Sequence, residues 1–169
     1  MSAMSNSAAI RDIYVENDFF WSAYAQGLAF NDTSMDNNFG FNNGSMVYSI
    51  IDTGSSGLLM SSDYFSSIVT TLFETYIGNM NYVIKNGVVF SQCIDPNTLP
   101  PIFIMFNELW VQIRGADYMV DVSPNRDRTL CQLVIYKNPL AFNVLGTPMM
   151  IGYYTVHDTV NGKIGFVPS

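Results

Sequence analysis

The sequence predicts an all-β domain, mostly antiparallel, with one main helix at about residues 61–77. Three observations predict it. Short runs rich in Val, Ile, Tyr and Phe recur along the chain, separated by Asn, Gly and Pro clusters. Asn86-Gly87 and Asn161-Gly162, between two such pairs of runs, give the strongest short-range hairpin signal. Only one stretch sustains helical spacing of apolar residues.

In chain order, residues 1–9 read as a polar leader and 10–169 as a single domain. Ile13 and Val15 alternate with Tyr14 and Glu16, and Phe19–Ala25 and Leu28–Phe30 continue as strands. Asn31-Asp32-Thr33 is a turn and Asp36–Ser45 has loop composition. Met46–Ile51 is an apolar run that reads as a buried strand. The helix comes next, with Ser61 or Ser62 as its cap and Asp63 in its first turn. Tyr64, Phe65, Ile68, Val69, Leu72, Phe73, Tyr76 and Ile77 share one face, which is core packing, and Gly78 is the stop. Strands resume at Tyr82 with a hairpin through Asn86-Gly87. Pro96, Pro100 and Pro101 mark a loop, and Ile102–Phe106 pairs with Leu109–Ile113. Leu130–Tyr136, a turn at Asn138-Pro139 and Ala141–Leu145 come next, the last ending at Gly146. Tyr153–Val156 and Lys163–Val167 form the final hairpin.

The chain has 169 residues, 49% apolar and 12% charged, enough for one domain with a sizeable core. No apolar run approaches the roughly 18 residues of a membrane span. A net charge of −7 with seven Lys plus Arg argues against nucleic acid, whose phosphates need a basic face. It also keeps the folded chain's net charge modest at low pH. No metal or cofactor is expected, because His157 is the only histidine and two cysteines make no zinc cluster. Cys93 and Cys131 are either unpaired core thiols or a disulfide, the latter worth ~4 kcal/mol for a loop of this size. Asn31-Asp32-Thr33 and Asn43-Gly44-Ser45 are glycosylation acceptor patterns at Asn31 and Asn43. With the cysteine pair they lean toward a secretory route. Met1–Ile10 has neither a basic start nor an apolar stretch of signal length, so the expectation is a cytosolic protein or a chain whose true beginning lies upstream.

The chemistry concentrates in Ile50-Ile51-Asp52-Thr53-Gly54-Ser55-Ser56. A carboxylate at the end of a buried strand is costly unless something uses it. Gly54 admits close backbone approach, and Ser55 and Ser56 bring hydroxyl donors that can orient the carboxylate. Taken alone, these seven residues read equally well as a surface turn after a strand.

The ordered set of motifs resembles the C-terminal lobe of pepsin-like aspartic proteases from Ile13 to Ser169. Ile50–Ser56 resembles that lobe's active-site motif, and the helix from Ser61 sits where the family has one. Asn143-Val144-Leu145-Gly146 resembles the segment that threads beside the active-site loop. Tyr153–Asp158 followed by Asn161–Phe166 resembles the family's ending. Cys93 and Cys131 fall where the lobe's disulfide usually lies. Three departures stand out: Ser55 where Thr is more frequent, Thr147 where Asp is frequent, and His157 in place of a usual aromatic.

The resemblance implies one lobe of the pepsin-like acid protease fold. Asp52 would be one of two aspartates that share a proton and activate water for peptide hydrolysis. Thr53 would bond across to the partner loop, and Gly54, Ser55 and Ser56 would contact an extended peptide. Val144 reads equally as cleft wall or core packing. No second Asp-Thr-Gly or Asp-Ser-Gly occurs, so the resemblance implies an N-terminal lobe as partner, encoded upstream, and an isolated chain that is inactive. The expected setting is secreted or a lysosome- or vacuole-like acidic compartment. Two other readings are a pseudoprotease or peptide-binding lobe without turnover, and a homodimer that pairs two copies of Asp52. His157 reads as a satisfied structural histidine and Asp158 as a structural hydrogen-bonder at the last hairpin.

Overall fold

A computed structural model of the chain describes residues 11–14, 20–32, 46–78, 80–107 and 109–169. The expectations for residues 1–9, for 15–19 and for the loop that holds Asn43 lie outside the described residues. Within them, fourteen strands form three sheets. The largest contains β2 (Ser22–Ala25), β4 (Val47–Ile51), β5 (Leu58–Ser61), β6 (Tyr82–Lys85), β7 (Val88–Ser91), β10 (Met119–Asp121), β11 (Cys131–Asn138) and β12 (Asn143–Leu145). A second joins β3 (Gly27–Phe30), β8 (Ile102–Phe106) and β9 (Leu109–Ile113). The third joins β1 (Arg11–Tyr14), β13 (Tyr153–Asp158) and β14 (Lys163–Pro168).

Local chemistry explains the hairpins. Asn86 and Gly87 both take positive φ, 53° and 76°, as a two-residue turn matched to strand twist requires, and Lys85 pairs with Val88. Along β8, Ile102, Ile104 and Phe106 are buried while Phe103 and Met105 are half-buried, the alternation of a strand with one face on the core. The pairing is mostly antiparallel, with two parallel exceptions, β4 with β12 and β5 with β11.

The strand order of the large sheet positions the aspartate loop. β4 and β5 are neighbours in sequence, yet β12 lies between them, parallel to one and antiparallel to the other. Val144 is thereby opposite both Ile50 and Leu59. Asn143, buried, holds the three strands together through its amide. Its Oδ1 accepts the Ser61 N–H at 3.0 Å and its Nδ2 donates to Ser49 Oγ at 3.1 Å.

The helix expected at 61–77 divides into two. Ser61 belongs to β5, α1 spans Ser62–Thr70, and Thr71–Tyr76 winds as a wider π-helical segment. It ends where Ile77 N–H reaches Leu72 O, and Gly78 comes next at φ 79°. The serine cap does not form: no side chain accepts from the first turn, the Ser61 N–H donates to Asn143 and Ser62 Oγ leans to Asn138 O at 3.4 Å. The apolar face holds as expected: Phe65, Ile68, Val69, Leu72 and Phe73 are buried and Tyr64, Tyr76 and Ile77 half-buried.

Three further expectations are corrected. The strand to Ile51 is only partly buried: Ser49 and Ile51 are buried, Val47 packs half-buried against the core on their face, and Tyr48 and Ile50 are half-buried on the other. The strand expected to end at Tyr136 runs to Asn138. The next starts at Asn143 rather than Ala141, because the Asn138 side chain closes the intervening loop on Leu140 N–H and Phe142 O. Strands β5 and β10 and the short helices α2 (Gly115–Tyr118) and α3 (Thr147–Met150) carried no signal that sequence reading used.

Cys93 and Cys131 form a disulfide with Cα atoms 4.8 Å apart, resolving the two readings of the pair. It ties the segment after β7 to the start of β11.

The packing makes two stability effects measurable. A Cβ on Gly146 would lie 2.2 Å from Ser55 O and 2.4 Å from Gly57 O, both backbone, whereas one on Gly152 meets nothing within 4 Å. Urea unfolding should show Gly146→Ala destabilised by about 3 kcal/mol or more, with Gly152→Ala between neutral and about 1 kcal/mol stabilised. Equal effects would contradict the threaded packing. Reducing the disulfide, which spans 38 residues, should lower stability by about 4 kcal/mol in the same assay.

Candidate active site

Asp52 stands immediately after β4, where that strand leaves its neighbours. Its backbone is anchored first. Ile51 N–H donates to Trp21 O at 2.7 Å and Asp52 N–H donates to Leu145 O at 3.1 Å. The loop then folds back over the carboxylate. Gly54 N–H donates to Oδ1 at 2.9 Å, Ser55 Oγ donates to Oδ2 at 2.7 Å, and Ser55 N–H closes on Asp52 O at 3.2 Å. Each carboxylate oxygen thus receives one donor, and donors favour the charged form. The Ser55 hydroxyl, then the Gly54 amide, hold the Asp52 carboxyl below its ordinary value of 3.8, against a smaller opposing effect of burial.

The loop is braced from β12. Gly146 N–H donates to Gly57 O at 3.1 Å, and Thr147 N–H and Oγ1 both donate to Ser55 O, at 2.8 and 3.0 Å. Proximity favours glycine at position 54, since a Cβ there would lie 3.2 Å from Asp52 Oδ1.

Beside the carboxylate opens a cavity of about 580 Å³, lined by Phe20, Trp21, Ile50, Ile51, Asp52, Thr53, Val144 and His157. Asp52 and Val144 are half-buried there, and Thr53 is exposed. Asp52 is the one carboxylate among these lining residues. Ser56 is exposed and makes no hydrogen bond to the carboxylate.

His157 departs from the expectation of a satisfied structural histidine. Its ring packs edge-on against Trp21, centroids 4.7 Å apart, and its buried Nδ1 has no hydrogen-bond partner among the described residues. The register of β13 sets it opposite the buried Ile164, on the cavity wall. Asp158, one residue on, accepts from Val160 N–H, Asn161 N–H and Asn161 Nδ2 and shapes the last loop, away from the cavity lining. Asn31 is exposed on a turn at φ 66°. Cys93 and Cys131 approach Asp121, but their sulfurs are bonded to each other and cannot serve as metal ligands.

Sequence reading missed Phe20 and Trp21 as cavity lining, Asn143 as the strand bridge and Thr147 as the loop's brace. Asn143 had a usable signal, an amide inside an otherwise apolar run. Thr147 had none, because a hydroxyl after a glycine is ordinary.

An aspartate thus stands at a strand end, fixed by the amide and hydroxyl of the following Gly-Ser, beside a cavity with mostly apolar walls. The family model for eukaryotic aspartyl proteases matches residues 3–169, and the chain belongs to that family, a class of peptide-bond hydrolases. A comparison with curated proteins gives no match.

The hydrogen bonds to Asp52 predict a pH-dependent signature. A carboxyl whose folded pKa is lowered stabilises the fold fully above its unfolded value, about pH 4, and loses that contribution as pH falls through the folded pKa. Ser55→Ala should raise the Asp52 midpoint in a carboxyl-carbon NMR titration. Its destabilisation should be larger at pH 6 than at pH 2, and a pH-independent loss would show that the hydroxyl does not act on the charge.

Proposed function

We propose that this chain is the C-terminal-type lobe of an aspartic endopeptidase, with Asp52 as one of its two catalytic carboxylates. The observation that carries the reading is the pair of donors on Asp52. They keep it ionised at the mouth of a cleft, ready to take a proton from water. The second carboxylate, protonated, would polarise the peptide carbonyl and would come from an N-terminal lobe. The cavity lining supports this, since it presents one carboxylate and includes an exposed Thr53, which would bond across to the partner's loop.

A partner is also favoured by the third sheet. β13 is its terminal strand, and Tyr154 and Val156 are 71% and 44% exposed along it. An open edge carrying large apolar side chains is a surface that proteins ordinarily cover. On this reading the isolated chain is inactive. The substrate is an extended peptide whose backbone meets Gly54, Ser55 and Ser56 and whose apolar side chain lies against Val144. Family membership and the disulfide fit a secreted or acidic-compartment protein. Glycosylation at Asn31 and Asn43 belongs to the same proposal. No helix among the described residues is long and apolar enough to cross a membrane.

In the two-lobed enzyme, Asp52→Asn should lower kcat by roughly 10²–10⁴-fold or more at acid pH, because amide nitrogen cannot accept the proton from water. Peptide turnover that survives the substitution would remove Asp52 from the chemistry. Peptide binding without turnover in the unsubstituted protein would favour the pseudoprotease reading.

A further inference from the structure

We propose that Thr147 is a positioning residue for Asp52, acting through the carbonyl of Ser55. The inference rests on the reading of Asp52 as the working carboxylate, and its geometry is a relay of three contacts. Thr147 gives two donors to one acceptor, its N–H at 2.8 Å and its Oγ1 at 3.0 Å from Ser55 O. A carbonyl oxygen has two lone pairs, so one residue occupies both. Ser55 then gives two donors to Asp52, Oγ to Oδ2 at 2.7 Å and N–H to the backbone O at 3.2 Å. Gly146 also passes close against the same carbonyl, where a Cβ would lie 2.2 Å from Ser55 O.

Among the described residues the hydroxyl makes no other hydrogen bond. Thr147 is exposed, and its part in α3 uses only its backbone carbonyl, which accepts from Ile151 N–H at 3.0 Å. The residue type is what makes the clamp. An ionised aspartate, frequent at the equivalent place in the resembling lobes, accepts hydrogen bonds and cannot donate one to a carbonyl. It would also set a second negative charge beside the loop that carries Asp52. Threonine replaces that charge with a neutral donor, so the Ser55 peptide plane, and with it the Ser55 hydroxyl, is held in the orientation that serves Asp52.

The test is a carboxyl-carbon NMR titration of the 169-residue chain carrying Thr147→Val, Thr147→Ala or Thr147→Ser. Valine keeps the shape and removes the donor, alanine removes both, and serine keeps the donor. The Val and Ala variants should raise the Asp52 midpoint by roughly half a pH unit, while Thr147→Ser stays at the wild-type value. Asp121 and Asp158, which lie outside this relay, serve as unmoved references. In a Ser55→Ala background, Thr147→Val should move Asp52 no further. The proposal is overturned if Val and Ala both leave the midpoint within about 0.1 of wild type, if serine behaves as valine does, or if the shift persists without the Ser55 hydroxyl. Running Val and Ala together keeps the question answerable should one of them unfold. In the two-lobed enzyme, Thr147→Val should lower kcat several-fold with KM unchanged. The titration needs neither partner nor turnover, so its failure is distinct from survival of activity in Asp52→Asn.

Discussion

The structure depends on one close approach, that of Gly146 to the carbonyls of Ser55 and Gly57. β12 can lie between β4 and β5 only if the chain leaving it passes beneath the loop that joins those two strands. No side chain fits there, since a Cβ on Gly146 would meet backbone oxygen at 2.2 Å. That passage assembles the site itself. Leu145 O receives the Asp52 N–H, Gly57 O receives the Gly146 N–H, and Ser55 O receives both donors of Thr147. The aspartate is therefore held from strands distant in sequence, and its loop is tied down along most of its length.

That rigidity has an electrostatic purpose. Donors fixed on both carboxylate oxygens stabilise the charged form of Asp52. The cost of holding a carboxylate at the end of a strand is limited because Asp52 is half-buried beside a cavity rather than sealed in the core. Trp21, Ile50 and Val144 supply apolar walls beside the charge. Along β13, Tyr154 and Val156 leave apolar surface exposed.

Much of the fold was legible because its signals are local. Asn86-Gly87 sets a turn by backbone conformation alone, and the stripe from Tyr64 to Ile77 sets a helix by spacing. Motif order was legible too, and the family match agrees with it. The features that were not legible depend on contacts between distant segments. The contact of the Ser61 N–H with Asn143 spans 82 residues. The bracing of Ser55 by Thr147 spans 92 residues. His157 was read from its residue type, but its setting comes from Trp21 and the register of β13, neither of which spacing reveals.

The most direct test of Asp52 as half of a catalytic pair is turnover of an extended apolar peptide at acid pH, by this chain alone and by the chain combined with a lobe bearing a second Asp-Thr-Gly. One carboxylate held charged by Gly54 and Ser55 can take a proton but cannot also polarise the carbonyl. The expected result is no hydrolysis by the chain alone and hydrolysis by the pair, abolished by Asp52→Asn. Hydrolysis by the chain alone as a monomer, or by the pair carrying Asp52→Asn, would contradict it.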